Sequence, residues 1–133
     1  MGRPEARVTP DTEAFWTAGG EGQLMIWRCA DCGHYAHPPS PTCPRCWSWN
    51  GRPTPVSGYA RVFSFTVNWQ EWTPDFPPPY VIAVVELEEQ EGLRLTTNIE
   101  GCDHSAVAID LPVQVKFVEG ERTWIPVFEP RRS

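Results

Sequence analysis

The chain has 133 residues, 41% of them apolar and 21% charged, with a formal net charge of −6. That length suits one ordinary domain or two very small ones, and that balance suits a globular chain rather than a disordered one. Seventeen acids against eleven Lys and Arg argue against a nucleic-acid binder, which needs cations to neutralise phosphates, and no apolar run reaches membrane-spanning length.

Fifteen prolines and ten glycines favour strands and loops over helices. Residues 1–8 read as a polar arm. Thr9-Pro10-Asp11-Thr12-Glu13 carries helix-start signals: a capping hydroxyl, a proline at the first helical position and acids at the positive end of the dipole. Ala14, Phe15, Trp16 and Ala18 continue that helix, and Gly19-Gly20 is expected to end it. A helix this short needs tertiary support, so Phe15 and Trp16 are expected to pack on the rest of the chain or on another protein.

Gln23 to Arg28 reads as a strand leading into Cys29-Ala30-Asp31-Cys32-Gly33. His34 to His37 returns as a second strand. The stiff Pro38-Pro39-Ser40-Pro41 segment then leads to Cys43-Pro44-Arg45-Cys46. Two Cys-x-x-Cys knuckles separated by ten residues can close a tetrahedral four-sulfur site. Such a site leaves no open position for water or substrate, so Cys29, Cys32, Cys43 and Cys46 point to a structural zinc ion. Rubredoxin-type iron uses the same ligand set. His34 and His37 lie close by in sequence but find the site already full. No secretory signal segment precedes the cysteines and their number is odd, so reduced thiols in a soluble, cytoplasmic setting are expected.

From Val56 onward the pattern is that of a small barrel. Tyr59 to Val67 alternates as a half-buried strand does, and Tyr80 to Leu87 is a longer Val- and Ile-rich run. Leu93 to Ile99, Pro112 to Val118 and Thr123 to Phe128 supply three more strands. Glu88 to Gly92 reads as a turn with a solvated acidic tip, and Gly101 to Asp110 as an irregular break. Five strands with a break between the third and fourth match the order of an OB-fold. The expected architecture is mainly β: an arm with a short helix (1–21), a rubredoxin-like zinc ribbon (22–54) and a five-stranded OB-fold barrel (55–133). Between the first two barrel strands, Trp69 to Pro79 is aromatic, proline-rich and irregular. Trp69, Trp72 and Phe76 there either cover one end of the barrel or are candidates for a partner surface, the latter together with Phe15 and Trp16.

The chain resembles a zinc-ribbon and OB-fold family associated with acyl-CoA enzymes, long known as a domain of unknown function. The matching pieces are Phe15-Trp16, Leu24 to Gly33, Pro38-Pro39, Cys43 to Cys46, Ser57 to Val62, Thr66-Val67, Pro79 to Leu87, Asn98-Ile99, Pro112 to Phe117 and Ile125 to Phe128. They run in order over nearly the whole chain. The resemblance implies a non-catalytic subunit that docks on a thiolase-like enzyme, such as a lipid-transfer-protein-type thiolase or a retro-aldolase of steroid side-chain degradation. There it would help form the acyl-CoA site or channel. Asp110 stands where the family often has Gly, and Cys102 is additional. Of the strand cations, Arg61, Arg94 and Lys116 could meet CoA phosphates. A catalyst needs a nucleophile or base with oxyanion donors, and Cys102-Asp103-His104 is a poor match because residues two apart rarely face each other. Two other readings are a nucleic-acid-binding OB module and a stand-alone acyl-CoA-binding protein.

Overall fold

The computed structural model describes residues 6–72, 74 and 77–131. Helix α1 spans Glu13–Thr17 and runs into a 3₁₀ turn over Ala18–Glu21. The helix starts later than its capping signals predict. The Thr9 and Thr12 hydroxyls lie 3.0 Å apart, and the Thr9 N–H donates to Thr12 Oγ1, so Thr9–Thr12 folds as its own turn. The Gly19-Gly20 pair does not stop the chain either. A β-carbon on Gly19 would fall 2.5 Å from Phe117 Cδ1 and 2.6 Å from Trp124 Cβ, so the pair allows close approach to the barrel. Gly22, at φ 74°, ends the turn.

The ribbon sheet has the order β2–β1–β3, with β1 at Leu24–Cys29, β2 at Tyr35–Ala36 and β3 at Gly51–Val56. Strand β3 has no counterpart in the sequence expectation, where Asn50-Gly51 turns the chain away. Its Pro53 and Pro55 mask the strand signal, yet prolines are tolerated on an edge, where a missing N–H breaks no ladder. Alternation along β1 divides its side chains. Leu24 and Ile26 join the barrel core, while Trp27 and Cys29 form a second cluster with Cys43.

The barrel is closed in the order β4–β5–β6–β8–β7, with β7 pairing back on β4. Its strands are β4 Tyr59–Asn68, β5 Tyr80–Leu87, β6 Arg94–Ile99, β7 Pro112–Glu119 and β8 Trp124–Pro130. All pairings are antiparallel except β6 with β8, which meet in parallel at Ile99 and Phe128. This is the OB arrangement, and its core is filled by Val62, Val85, Leu87, Val113 and Phe128. A bulge between Val62 and Ser64 turns Phe63 outward, where the Arg94 guanidinium lies 3.7 Å over its ring. Asp110, the departure from the family pattern, has φ 69°, so an aspartate occupies the left-handed position that suits glycine.

The acidic hairpin tip is not simply solvated. Gln90 Oε1 accepts from the Tyr35 N–H and Gln90 Nε2 donates to the Tyr35 carbonyl, both at 2.9 Å. Glu89 Oε2 accepts from the Ser57 N–H at 2.7 Å. The tip therefore fastens the barrel to the edge of the ribbon. Phe15, expected on a partner surface, is buried in the core shared by ribbon and barrel, and Trp16 packs edge-on against it at 4.9 Å.

Candidate metal centre and partner surface

The metal site forms where β1 ends. Cys29 is the last residue of β1, and Gly33 at φ 80° reverses the chain after Cys32. The Gly33 N–H donates to the Cys29 carbonyl and the Trp47 N–H to the Cys43 carbonyl, both at 2.9 Å, the same turn built twice, while the Cys32 N–H points at Cys29 Sγ (3.5 Å) and the Arg45 N–H at Cys43 Sγ (3.4 Å). In the second knuckle Trp47 stands where the first has Gly33 and adopts φ 67°. Asp31 binds the two halves together: it accepts from Ser48 Oγ and Asn50 Nδ2, while the Ala30 N–H donates to the Asn50 carbonyl.

The four Sγ atoms all lie within 4.8 Å of one another, with Cys29–Cys46 and Cys32–Cys43 each at 3.6 Å. Zinc–sulfur bonds of about 2.3 Å in a tetrahedron give sulfur separations of about 3.8 Å, so this donor set fits the ion. The protonation chemistry points the same way. The Cys32 amide holds the Cys29 thiol down to about 7. At Cys46 the Ser48 amide also lowers the value, but desolvation and the neighbouring sulfurs outweigh it and push the thiol up to about 12. Four thiolates crowded together need a cation, and a divalent ion would supply it. Four sulfurs complete the shell, so the site can hold loops together but presents no position for a reacting group. The histidines stay out. His37 stacks on Phe15 at 4.8 Å, and burial lowers its pKa.

At the far end of the barrel, Trp69 and Trp72 are 65% and 72% exposed. Trp72 Nε1 donates to Asn68 Oδ1 at 3.2 Å, and Trp69 meets the His104 ring edge-on at 5.0 Å. Phe76 lies outside the described residues. Beside this pair is a cleft of about 400 Å³, walled in part by Pro77, Pro79, Cys102 and His104. Burial, then the charge of Asp103, raises the Cys102 thiol, the opposite of an activated nucleophile.

The strand cations do not converge. Arg94 pairs with Glu86 at 3.1 Å, and Lys116 lies 3.8 Å from both Glu100 and Glu129. Arg61 lines a separate cleft of about 700 Å³ with Glu86, Glu88 and Glu91. Trp47 and Trp49, 73% and 79% exposed, are surface features that sequence reasoning missed. They sit in a metal-knuckle segment with no strand pattern to assign them a face. Gln90 was missed as well, because nothing local marks a side chain that reaches another sheet.

Comparison with known proteins agrees with this layout. Residues 16–49 match the model for the ChsH2 rubredoxin-like zinc ribbon domain, and residues 53–118 the model for the ChsH2 C-terminal OB-fold domain. The chain is 36% identical over 129 residues to a probable enoyl-CoA hydratase alpha subunit of Thermomonospora curvata, covering 96% of this chain and 40% of that protein. It thus spans about two fifths of the length of that relative. It is 35% identical over 94 residues to a DUF35 domain-containing scaffold protein of Methanothermobacter thermautotrophicus, covering 68% of each. The solved structure of an Ltp2-ChsH2(DUF35) aldolase superposes with a TM-score of 0.84 at 35% identity, covering 95% of this chain and 98% of that one. Four cysteines in a ribbon, a closed five-stranded barrel behind it and these matches together show that the chain belongs to the DUF35 family, in its ChsH2-type zinc-ribbon and OB-fold form.

Proposed function

We propose that this chain is a non-catalytic accessory subunit of an acyl-CoA-processing enzyme, docking on a thiolase-like or aldolase subunit through the Trp69–Trp72 end of its barrel. The observation that carries this reading is the pair of exposed indoles on an irregular loop beside a cleft. Tryptophan is enriched at binding hot spots, and a docked partner would cover both rings. The names of the relatives support the acyl-CoA setting: a hydratase subunit, a scaffold protein and an aldolase complex. The residues support a non-catalytic role, since four cysteines are taken up by the metal site and Cys102 is held as a thiol. The retro-aldolase of steroid side-chain degradation is the narrower form of the same proposal.

The ion is proposed to be zinc, held by Cys29, Cys32, Cys43 and Cys46, contributing folding energy and no reaction step. Of the barrel cations, Arg61 is the proposed CoA contact, because Arg94 and Lys116 already meet carboxylates. The functional division is proposed as arm (1–21), ribbon (22–54) and barrel (55–133). Reduced thiols suit the cytoplasm; among the described residues no helix is long and apolar enough to cross a membrane.

The test is Trp72→Ala in the co-expressed complex with the thiolase-like or aldolase protein that co-purifies with the chain. Calorimetry should show at least about tenfold weaker association, with the unfolding midpoint of the isolated variant unchanged. Unaltered affinity would exclude this end of the barrel as the docking surface.

A further inference from the structure

One cleft on the ribbon carries positive charge with no carboxylate in its walls. Arg28 on β1 and Arg52 on β3 are directly opposed in the antiparallel pair, so both project from the same face of the sheet. They line a cleft of about 400 Å³ completed by Cys29, Ala30, Gly33 and Thr54. Like charges at opposed cross-strand positions work against pairing. In a chain where acids outnumber Lys and Arg seventeen to eleven, the absence of an acid between these two is unexpected.

The two guanidiniums are held differently. Arg28 is pinned: its Nε donates to the Gly33 carbonyl at 3.0 Å, and its guanidinium sits 4.7 Å from the centre of the Tyr35 ring. Its Nη groups remain to meet another acceptor. The Arg52 side chain is exposed and bonds to nothing among the described residues. One fixed and one free guanidinium make a clamp whose free arm can close on a ligand. The planar fork of arginine presents paired N–H donors that match the oxygens of a phosphate group.

We propose that Arg28 and Arg52 form a binding site for a phosphate-bearing ligand, a diphosphate or a phosphate ester, on the ribbon sheet. The site is distinct from the barrel cations and does not depend on which enzyme the chain serves. The competing account is internal: four thiolates around one divalent ion keep two negative charges, and Cys29 forms part of the cleft wall.

The experiment is calorimetric titration of the zinc-loaded full chain with inorganic diphosphate at low ionic strength. A single saturable site is expected. Arg52→Gln should weaken it at least about tenfold, and Arg52→Lys, which keeps the charge but loses the fork, by less. Arg45→Gln, a ribbon cation outside the cleft, should change nothing. A parallel titration with ADP identifies the source of the anion: tighter binding with the same Arg52 dependence marks a nucleotide-linked ligand, and equal affinity marks the free anion. No saturable binding, or an equal loss in Arg45→Gln, overturns the proposal. So does faster zinc release to a chelator in Arg52→Gln without diphosphate binding in the parent, since the pair would then serve only the tetrathiolate. The Arg52 side chain makes no bond that holds the fold among the described residues, so this variant decides the matter even if Arg28→Gln loses its metal.

Discussion

Replacing Gln90 with alanine removes the side chain that joins the hairpin tip of the barrel to the ribbon. Two hydrogen bonds of 2.9 Å are lost, one to the N–H and one to the carbonyl of Tyr35, a residue only 9% exposed. An ordinary hydrogen bond contributes about 1 kcal/mol net, and a buried group left unpaired costs about 1–3 kcal/mol. Releasing the glutamine from one rotamer returns part of that, so the expected loss is about 2–3 kcal/mol. With a urea slope of about 2 kcal/mol/M for a chain of this size, the midpoint should fall by about 1 M. The assay is equilibrium unfolding of the zinc-loaded protein followed by tryptophan fluorescence, with hydrogen exchange at the Tyr35 amide as the local readout. Gln90→Glu should also destabilise, because a carboxylate can accept from the Tyr35 N–H but cannot donate to its carbonyl. A midpoint shift below about 0.2 M with unchanged Tyr35 protection would refute the claim that this side chain joins the two sheets.

Cys43→Ser should abolish stoichiometric metal: the parent is expected to hold about one zinc per chain by elemental analysis, and the variant to lose it together with the ribbon's cooperative unfolding. Gly51→Ala would place a β-carbon 1.9 Å from Trp27 Cζ2, so Trp27 must move; a loss of about 1–3 kcal/mol in denaturant unfolding is expected, and a neutral result would contradict the packing. Burial holds His37 below the ordinary histidine value of about 6.5, so as pH falls through that value the unfolded chain takes up the proton first and stability declines. His37→Phe should flatten that decline between neutral and mildly acidic pH in the zinc-loaded protein, read as a smaller change in urea midpoint than in the parent.

What could be read along the chain is what local chemistry dictates. Paired knuckles name four sulfur ligands because Cys-x-x-Cys geometry is set within a few residues. Tyr80 to Leu87 is a strand by composition and lies in the barrel at those same boundaries. The five barrel strands and the break before the fourth already imply the order in which the barrel closes. The errors fall where long-range contact overrules local preference. Pro53 and Pro55 argue against a strand, but the free edge beside β1 accepts them. Gly19 and Gly20 resemble a helix stop, but their place is set by Phe117 and Trp124 pressing from the barrel.

The sequence alone marked the four clustered cysteines, the five barrel strands and the exposed tryptophans Trp69 and Trp72, because each depends on spacing or periodicity over a short stretch. Only the tertiary structure decided that Phe15 is core and not contact, that an acidic turn fastens two sheets together, and that Arg28 faces Arg52 across a ladder. Burial and cross-strand pairing depend on residues tens of positions apart meeting in space, and no local pattern records which of them will meet.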